Sequence, residues 1–231
     1  MVASARQLDF QAVERTILST SERLREGIPS AAPSWPRLSR RVLLEALVEA
    51  CLGSRVRAET VAAAMERADH RGLLEPARLQ RLGVMRWCRA FDRALTGERG
   101  FPFARQKMSY LRGTLSSVGA DLAGLVRMVE SLDARDSRSQ LVQSARGLGP
   151  KQASFFLRQI GHPGRLAILD VHVLTYMRLA GLCDDVSTPR TLRRYEIVED
   201  RLLAYSLGRG IPTHSLDQAI WLTMRAAAGV Q

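Results

Sequence analysis

"GLGPKQASFFLRQIG" (residues 147–161) places two glycines around one leucine, followed by a proline, a lysine and an amphipathic stretch. Apolar residues recur at helical spacing on both sides of the glycines, so the sequence predicts two helices joined by a tight hairpin. Gly147 and Gly149 let the backbone turn sharply and expose its N–H groups, while Leu148 packs beneath the turn. Such N–H groups at the beginning of a helix suit a phosphate.

The lysine of this hairpin is unusual, because the chain has only two lysines among its 34 basic residues. An arginine guanidinium stays protonated, whereas a lysine amine loses its proton when it is desolvated or close to positive charge. The positive end of a helix dipole also disfavours the charged amine. Lys151 is therefore a candidate nucleophile and not only a phosphate contact. We expect the other lysine, Lys107, to be a solvated charge on a predicted helix at 105–111.

The charge balance points to a polyanion as the partner. The chain has 34 basic and 23 acidic residues, which gives a net charge of +11. A high-GC coding bias explains the preference for arginine over lysine, but it does not explain the surplus of cations. Nucleic acid is the partner that this surplus favours.

Cysteine and histidine usage argues against a metal or any other cofactor. Cys51, Cys88 and Cys183 are odd in number and far apart, which is typical of reduced thiols and excludes a four-cysteine iron–sulfur site. The four histidines show no zinc-ligand spacing. No apolar run approaches the roughly 18 residues of a membrane span, and the first residues lack the pattern of a signal peptide. We expect a cytoplasmic, nucleoid-associated monomer that has no membrane partner.

Helical periodicity runs through most of the chain and no segment alternates like a strand, so the expected fold class is all-α, with about ten helices. Thr188 and Pro189 predict the start of a helix that runs to about Leu207. Ser215 and Gln218 form a capping-box pattern that predicts the start of the last helix. The other predicted helices before the hairpin cover residues 38–52, 60–68, 77–94 and 121–132.

A second chemically informative stretch, "LAILDVHVLTYM" (166–177), begins 15 residues after the lysine. Asp170 follows four apolar residues and begins a new helix, so it is a candidate helix N-cap. Alternatively, it stays ionised near Lys151 and stabilises positive charge that develops on a sugar as a glycosidic bond breaks. Both roles are compatible, because a carboxylate has two oxygens. His172 either donates to a phosphate or fills a polar niche.

The hairpin lysine in "GLGPK" (147–151), followed by "LAILDVH" (166–172), resembles the bifunctional branch of the helix-hairpin-helix DNA glycosylase superfamily. With "SLDQAIW" (215–221) and the short length, the chain looks most like the compact 8-oxoguanine DNA glycosylase/lyases of archaea and bacteria. The resemblance implies a two-lobed helical bundle and double-stranded DNA with damaged guanine as the substrate. It also implies a single glycosylase domain over residues 1–231, with the hairpin element at about 136–161, the aspartate loop and helix at 162–180 and a base-pocket helix at about 215–231.

The resemblance also implies roles for individual residues. Lys151 would attack C1′ of the deoxyribose, expel the damaged base and form a Schiff base, after which β-elimination nicks the strand. Asp170 would stabilise the developing positive charge and assist in proton transfer. Backbone N–H groups of Gly147 and Gly149 would hold one phosphate, and His172 would hold a neighbouring one.

The damaged nucleotide must leave the base stack to be reached, so the resemblance further implies a base pocket. Trp221 would close one face of the base and Met108 the other. Members of the compact group often end on a lysine whose carboxylate helps to read the base, whereas this chain ends on Gln231. Gln231 would offer its amide and the terminal carboxylate, and a related base as the substrate stays open.

Two alternative functions, each from a different class of DNA-binding protein, also remain open. The first is a DNA-binding protein without chemistry, which uses the hairpin only to hold the backbone. The second is a monofunctional glycosylase for another damaged base, in which Asp170 activates a water molecule and the strand is not nicked. In each case Arg146 and Arg158 are expected to add salt-sensitive affinity for the DNA backbone.

Overall fold

The computed structural model describes residues 9–27, 39–95, 101–129 and 133–229. These ranges contain eleven helices and no strand, which confirms the all-α prediction. In chain order the helices are α1 (Phe10–Gly27), α2 (Arg40–Leu52), α3 (Ala58–His70), α4 (Pro76–Leu95), α5 (Ala104–Val118), α6 (Ala123–Val129), α7 (Ala134–Ser144), α8 (Pro150–Gln159), α9 (Val171–Leu179), α10 (Leu192–Gly208) and α11 (Thr213–Gly229).

The chain forms two compact units, in agreement with the expected two-lobed bundle. Unit 1 combines both ends of the chain, residues 1–30 and 165–231, and contains α1 and α9 to α11. Unit 2 is continuous, covers residues 31–164 and contains α2 to α8. Within the described ranges, no helix combines the length and the apolarity that crossing a membrane requires.

Helix α2 is the centre of unit 2. Eight of its 13 residues are buried, and it packs against α3, α4, α5 and α8. Ser39 caps its beginning, because the Ser39 hydroxyl accepts a hydrogen bond of 3.2 Å from the Val42 N–H. A helix that is apolar on most of its surface is stable only inside a layer of other helices, and this explains its position.

Unit 1 is built around α11, which packs against α1, α9 and α10. Its core contains buried side chains from all four helices, among them Ile17, Leu174, Leu202 and Ile220. Because α1 is the first helix of the chain, unit 1 depends on contacts between distant parts of the sequence.

Two predicted helix starts are wrong. Helix α10 begins at Leu192 instead of Thr188, because the Thr191 hydroxyl accepts the Arg194 N–H and thereby caps the helix. Helix α11 begins at Thr213, because the Pro212 carbonyl already accepts the N–H groups of Ser215 and Leu216. Ser215 therefore lies within the first turn and is not the cap.

Several further helices differ from the expectation in extent. Helix α3 covers Ala58–His70 instead of 60–68, and α6 covers Ala123–Val129, while residues 130–132 of the predicted 121–132 lie outside the described residues. Residues 77–94 were expected to form one helix, but Gly83 has φ 68° and ψ 159° and interrupts α4. Helix α5 covers Ala104–Val118 and is thus longer than the expected 105–111. This additional length matters for the site, since the second half of α5 supports the hairpin.

Candidate active site

The hairpin predicted from the glycines is present between α7 and α8. Asp133 caps α7 by accepting the N–H groups of Arg135 and Asp136, at 2.7 and 2.9 Å. Leu148 is 2 % exposed, which confirms that it packs beneath the turn. The two helices pack against each other, so the turn has a fixed geometry.

Helix α5 contacts the hairpin and fixes its turn. The Thr114 hydroxyl donates a hydrogen bond of 3.1 Å to the Arg146 carbonyl. Gly147 has φ 85°, and a Cβ atom there would lie 2.5 Å from Cδ2 of Tyr110. Only glycine fits both the positive φ and this close approach. Gly149 has φ −76°, and a Cβ atom there would meet no atom of the described residues within 4 Å.

The beginning of α8 suits an anion. Gly149 is the cap residue and gives the first turn no side-chain hydrogen bond, and Pro150 follows it at the first helical position. The first N–H groups of a helix have no partner inside that helix, and they carry the positive end of its dipole. The glycine cap leaves open space on this side of the turn.

Lys151 lies in the first turn of α8 and is half-buried. Its Nζ is 5.9 Å from the centroid of the Phe155 ring, one helical turn further along. A cation at this distance from a ring face is attracted to it, so Phe155 contributes to the placement of the amine.

Lys107 is not the solvated charge that we expected. It is 4 % exposed, and its Nζ donates a hydrogen bond of 2.7 Å to the Ser54 carbonyl. Burial lowers the pKa of Lys107 to about 8, and the positive charges of Lys151 and Arg55 contribute in the same direction. The expectation was wrong because burial of this side chain depends on the packing of α5 against α2, which the local pattern does not show.

Asp170 caps α9, as the simpler interpretation predicted. Its Oδ1 accepts a hydrogen bond of 2.9 Å from the Val173 N–H, and the residue is half-buried. This bond engages one of the two carboxylate oxygens, so a second role for the carboxylate is compatible with the cap.

The extended loop before Asp170 is fixed by three buried side chains. Glu199 accepts the Ala167 N–H at 2.9 Å, and Asp217 accepts the Ile168 N–H at 2.8 Å. The Tyr195 hydroxyl accepts the Leu169 N–H at 3.0 Å and donates to the Ala167 carbonyl at 2.8 Å. We call Tyr195, Glu199 and Asp217 the loop clamp.

The loop clamp was missed by the sequence analysis. Tyr195 and Glu199 share one face of α10 with the apolar Leu202, at the spacing of a buried stripe. An acidic residue in such a stripe indicates a buried hydrogen-bond acceptor, and this was the signal available. Asp217 lies within "SLDQAIW" (215–221), a stretch that contributes to the family resemblance but does not by itself indicate a role for Asp217.

The remaining predicted site residues are placed as follows. His172 is half-buried in the first turn of α9. Trp221 is half-buried on α11, and the Arg225 guanidinium lies 4.7 Å from the centroid of its ring. Met108 is 8 % exposed on α5. Gln231 lies outside the described residues.

The predicted site residues are divided between the two units. Unit 2 contains Gly147, Gly149, Lys151 and Met108, and unit 1 contains Asp170, His172 and Trp221. The expected proximity of Lys151 and Asp170 stays a prediction, because the two residues belong to different units. Among the residues that the structure describes, no group of three or more His, Cys, Asp or Glu side chains forms a candidate metal site.

Comparison with known families identifies the family to which this chain belongs. Residues 90–210, more than half of the chain, match the family model for 8-oxoguanine DNA glycosylase. The chain belongs to this family. The match includes the hairpin, Lys151, Asp170 and two of the three clamp residues, while Asp217 and Trp221 lie beyond it.

Two curated relatives in the 8-oxoguanine DNA glycosylase family are both named 8-oxoguanine DNA glycosylase/AP lyase. The protein of Thermotoga maritima is 35% identical over 104 residues, which are 45% of this chain and 50% of the relative. That of Korarchaeum cryptofilum is 35% identical over 89 residues, which are 38% of this chain and 42% of the relative. The chain thus spans about half the length of the curated relatives it matches.

A solved structure of an 8-oxoguanine DNA glycosylase has a similar fold. The crystal structure of the 8-oxoguanine DNA glycosylase of Thermotoga maritima matches with a TM-score of 0.63 and 24% sequence identity. The match covers 91% of this chain and 88% of that chain. At this identity, the likeness shows that the fold is shared.

The two glycines of the hairpin should respond differently to alanine. Gly147→Ala should lower the free energy of unfolding by at least about 2 kcal/mol, because a left-handed backbone and the clash with Tyr110 both oppose the new Cβ. Gly149→Ala should cost less than about 1 kcal/mol, because its φ is ordinary and space is available. Urea unfolding followed by circular dichroism measures both values. Equal losses in the two variants would contradict the described hairpin geometry.

The loop clamp predicts a local effect of Tyr195→Phe. The substitution leaves the Leu169 N–H and the Ala167 carbonyl without this partner, which should cost about 1–3 kcal/mol. Amide hydrogen exchange of residues 165–170, measured by mass spectrometry, should therefore become faster. Tyr205→Phe on the same helix is the matched control, because the Tyr205 hydroxyl bonds to Tyr176 and Glu14 instead. Similar acceleration in both variants would mean that the hydroxyl of Tyr195 does not fix the loop.

Proposed function

We propose that this protein is a DNA glycosylase with AP lyase activity that excises 8-oxoguanine from double-stranded DNA. The observation that carries the proposal is the position of Lys151, in the first turn of α8 directly behind the glycine hairpin, in a member of the 8-oxoguanine DNA glycosylase family. The printed names of the curated relatives support the substrate and both activities.

The hairpin would hold a phosphate of the DNA backbone. Gly147 and Gly149 are both exposed, and the beginning of α8 presents N–H groups and a positive dipole end. Arg146 is exposed beside them, and the net charge of +11 adds affinity that does not depend on base sequence. This grip would place the deoxyribose next to the hairpin within reach of Lys151.

Lys151 would carry the covalent chemistry. Its neutral amine attacks C1′ of the deoxyribose, the bond from C1′ to the base breaks, and the electron pair leaves with the base, which takes up a proton. Opening of the sugar ring then gives a Schiff base between Nζ and C1′. Removal of a C2′ proton expels the 3′ phosphate by β-elimination, and this step nicks the strand.

Asp170 would supply the carboxylate for the same reaction. While Oδ1 caps α9, the negative charge would stabilise the positive charge that develops on the sugar, and the carboxylate would assist in moving protons. The loop clamp limits the movement of this carboxylate, because it fixes the three residues before it. His172 would donate to a neighbouring phosphate.

The extruded base would be read by Trp221, Met108 and Gln231. Extrusion costs a few kcal/mol, which stacking and hydrogen bonds to the base edge offset. One face of the Trp221 ring lies against Arg225, so we assign the base to the other face. We also propose that both units together act as a single catalytic domain and that the protein works as a monomer on chromosomal DNA.

The chemistry can be tested by strand cleavage without alkali. With duplex DNA that contains one 8-oxoguanine, the protein should release the base and nick the strand. Lys151→Gln should reduce nicking at least about a thousandfold, because a side-chain amide is not an amine nucleophile. A duplex with uracil at the same position is the substrate control.

Arg146→Gln is the matched control variant, because it removes an exposed cation from the same hairpin. It should weaken binding more at low salt than at moderate salt, yet leave nicking at saturating protein unchanged. Base release without nicking by the unaltered protein would identify a monofunctional glycosylase. Tight binding with neither product would identify a DNA-binding protein without chemistry.

A further inference from the structure

Helix α8 carries an aromatic ring directly beside the proposed nucleophile. Ala153, Phe156 and Leu157 are fully buried, so they form the face of α8 that packs into unit 2. Lys151 and Phe155 lie on another face of the helix, and both side chains are half-buried. Phe155 therefore contributes to the surface that surrounds the amine.

Helical geometry explains why this ring lies over the amine. Phe155 follows Lys151 by four residues, and residues at this spacing are neighbours on the surface of a helix. Side chains of a helix lean towards its beginning, so the Phe155 ring covers the turn that carries Lys151. Accordingly, the Lys151 Nζ lies over the ring, 5.9 Å from its centroid. The contact is formed within one helix, so it is independent of unit 1.

Neighbouring helices fix the backbone of α8, on which both residues lie. The Arg138 guanidinium of α7 donates a hydrogen bond of 3.2 Å to the Ser154 hydroxyl. The Gln159 amide donates a hydrogen bond of 2.8 Å to the carboxylate of Glu49 on α2. With the backbone fixed, the position of the amine depends on rotations within the long and flexible lysine side chain. A contact at Nζ restricts these rotations.

The ring can hold the nitrogen in both of its charged forms. The face of an aromatic ring carries negative partial charge and attracts a cation. Nζ is positive as an ammonium, and it is positive again in the protonated Schiff base with C1′. The ring gives no advantage to the neutral amine, so its contribution to the reaction is the position of the nitrogen.

We propose that Phe155 is a positioning residue for the reaction, whose ring holds the amine of Lys151 at the place from which it attacks C1′. The inference rests on the proposed function of Lys151 as the nucleophile. Phe155 acts through Lys151 and does not need to touch the DNA. A misplaced nucleophile loses rate even when substrate binding is unchanged, because attack requires a narrow range of distances and angles.

The contact can be measured without DNA, because the chain has only two lysines. Reductive methylation with isotope-labelled formaldehyde labels their amines and keeps their positive charge, and Lys151→Gln identifies the NMR signal of Lys151. The Phe155 ring should shift this signal upfield, because the nitrogen lies over the ring face. Phe155→Leu should remove the shift, whereas Phe155→Tyr should retain it, since tyrosine keeps the ring.

Single-turnover kinetics separate positioning from binding. Nicking of an 8-oxoguanine duplex is measured at increasing protein concentration. Phe155→Leu should lower the rate at saturation about three- to thirtyfold, the range that cation–π contacts span. The concentration that gives half of this rate should stay within about twofold, since DNA binding is not affected. Phe155→Tyr should keep both values, and Phe155→Met, a second variant without a ring, should behave like Phe155→Leu.

Three results would overturn the inference. The first is an equal saturated rate in the unaltered protein and Phe155→Leu. The second is an equal loss in Phe155→Leu and Phe155→Tyr, which indicates packing and not the ring face. The third is a Lys151 signal without an upfield shift in the unaltered protein. A shifted signal together with no nicking by the unaltered protein would refute the proposed function, and the role of Phe155 would be refuted with it.

Discussion

The close approach of the Gly147 backbone to the Tyr110 ring is the contact on which the candidate site depends. It requires a residue without a Cβ atom and a left-handed φ, and the hydrogen bond from Thr114 to the Arg146 carbonyl fixes the same turn. Once the turn is seated on α5, the first turn of α8 and the amine of Lys151 have a defined position. The proposed phosphate site and the proposed nucleophile therefore both depend on the contacts between the hairpin and α5.

Unit 1 positions Asp170 by different contacts. The loop before Asp170 makes no regular ladder, and the buried side chains of the loop clamp accept its N–H groups instead. Buried backbone groups must be paired, so these three side chains replace secondary structure. In unit 1 the result is a carboxylate at the cap of α9, preceded by a loop that buried side chains fix.

The sequence predicted the features that depend on local chemistry. The glycine hairpin, the buried Leu148 and the cap at Asp170 follow from residue type and short spacing, and all three are confirmed. The burial of Lys107 was mispredicted, because its partner Ser54 lies 53 residues earlier. The loop clamp was missed for the same reason, since its acids accept from residues 32 and 49 positions away. The cap signal at Thr188 failed because Thr191 caps α10 instead, and the signal at Ser215 failed because α11 already begins at Thr213.

The measurement that tests the central claim most directly is the site of covalent attachment. Borohydride reduction in the presence of 8-oxoguanine duplex DNA, followed by peptide mapping, locates the linked amine, and the chain has only two lysines to distinguish. We predict that the DNA remnant is found on Lys151 and on no other residue. A remnant on Lys107 or on the terminal amine, or base release with no covalent product, would contradict the assignment of Lys151 as the nucleophile.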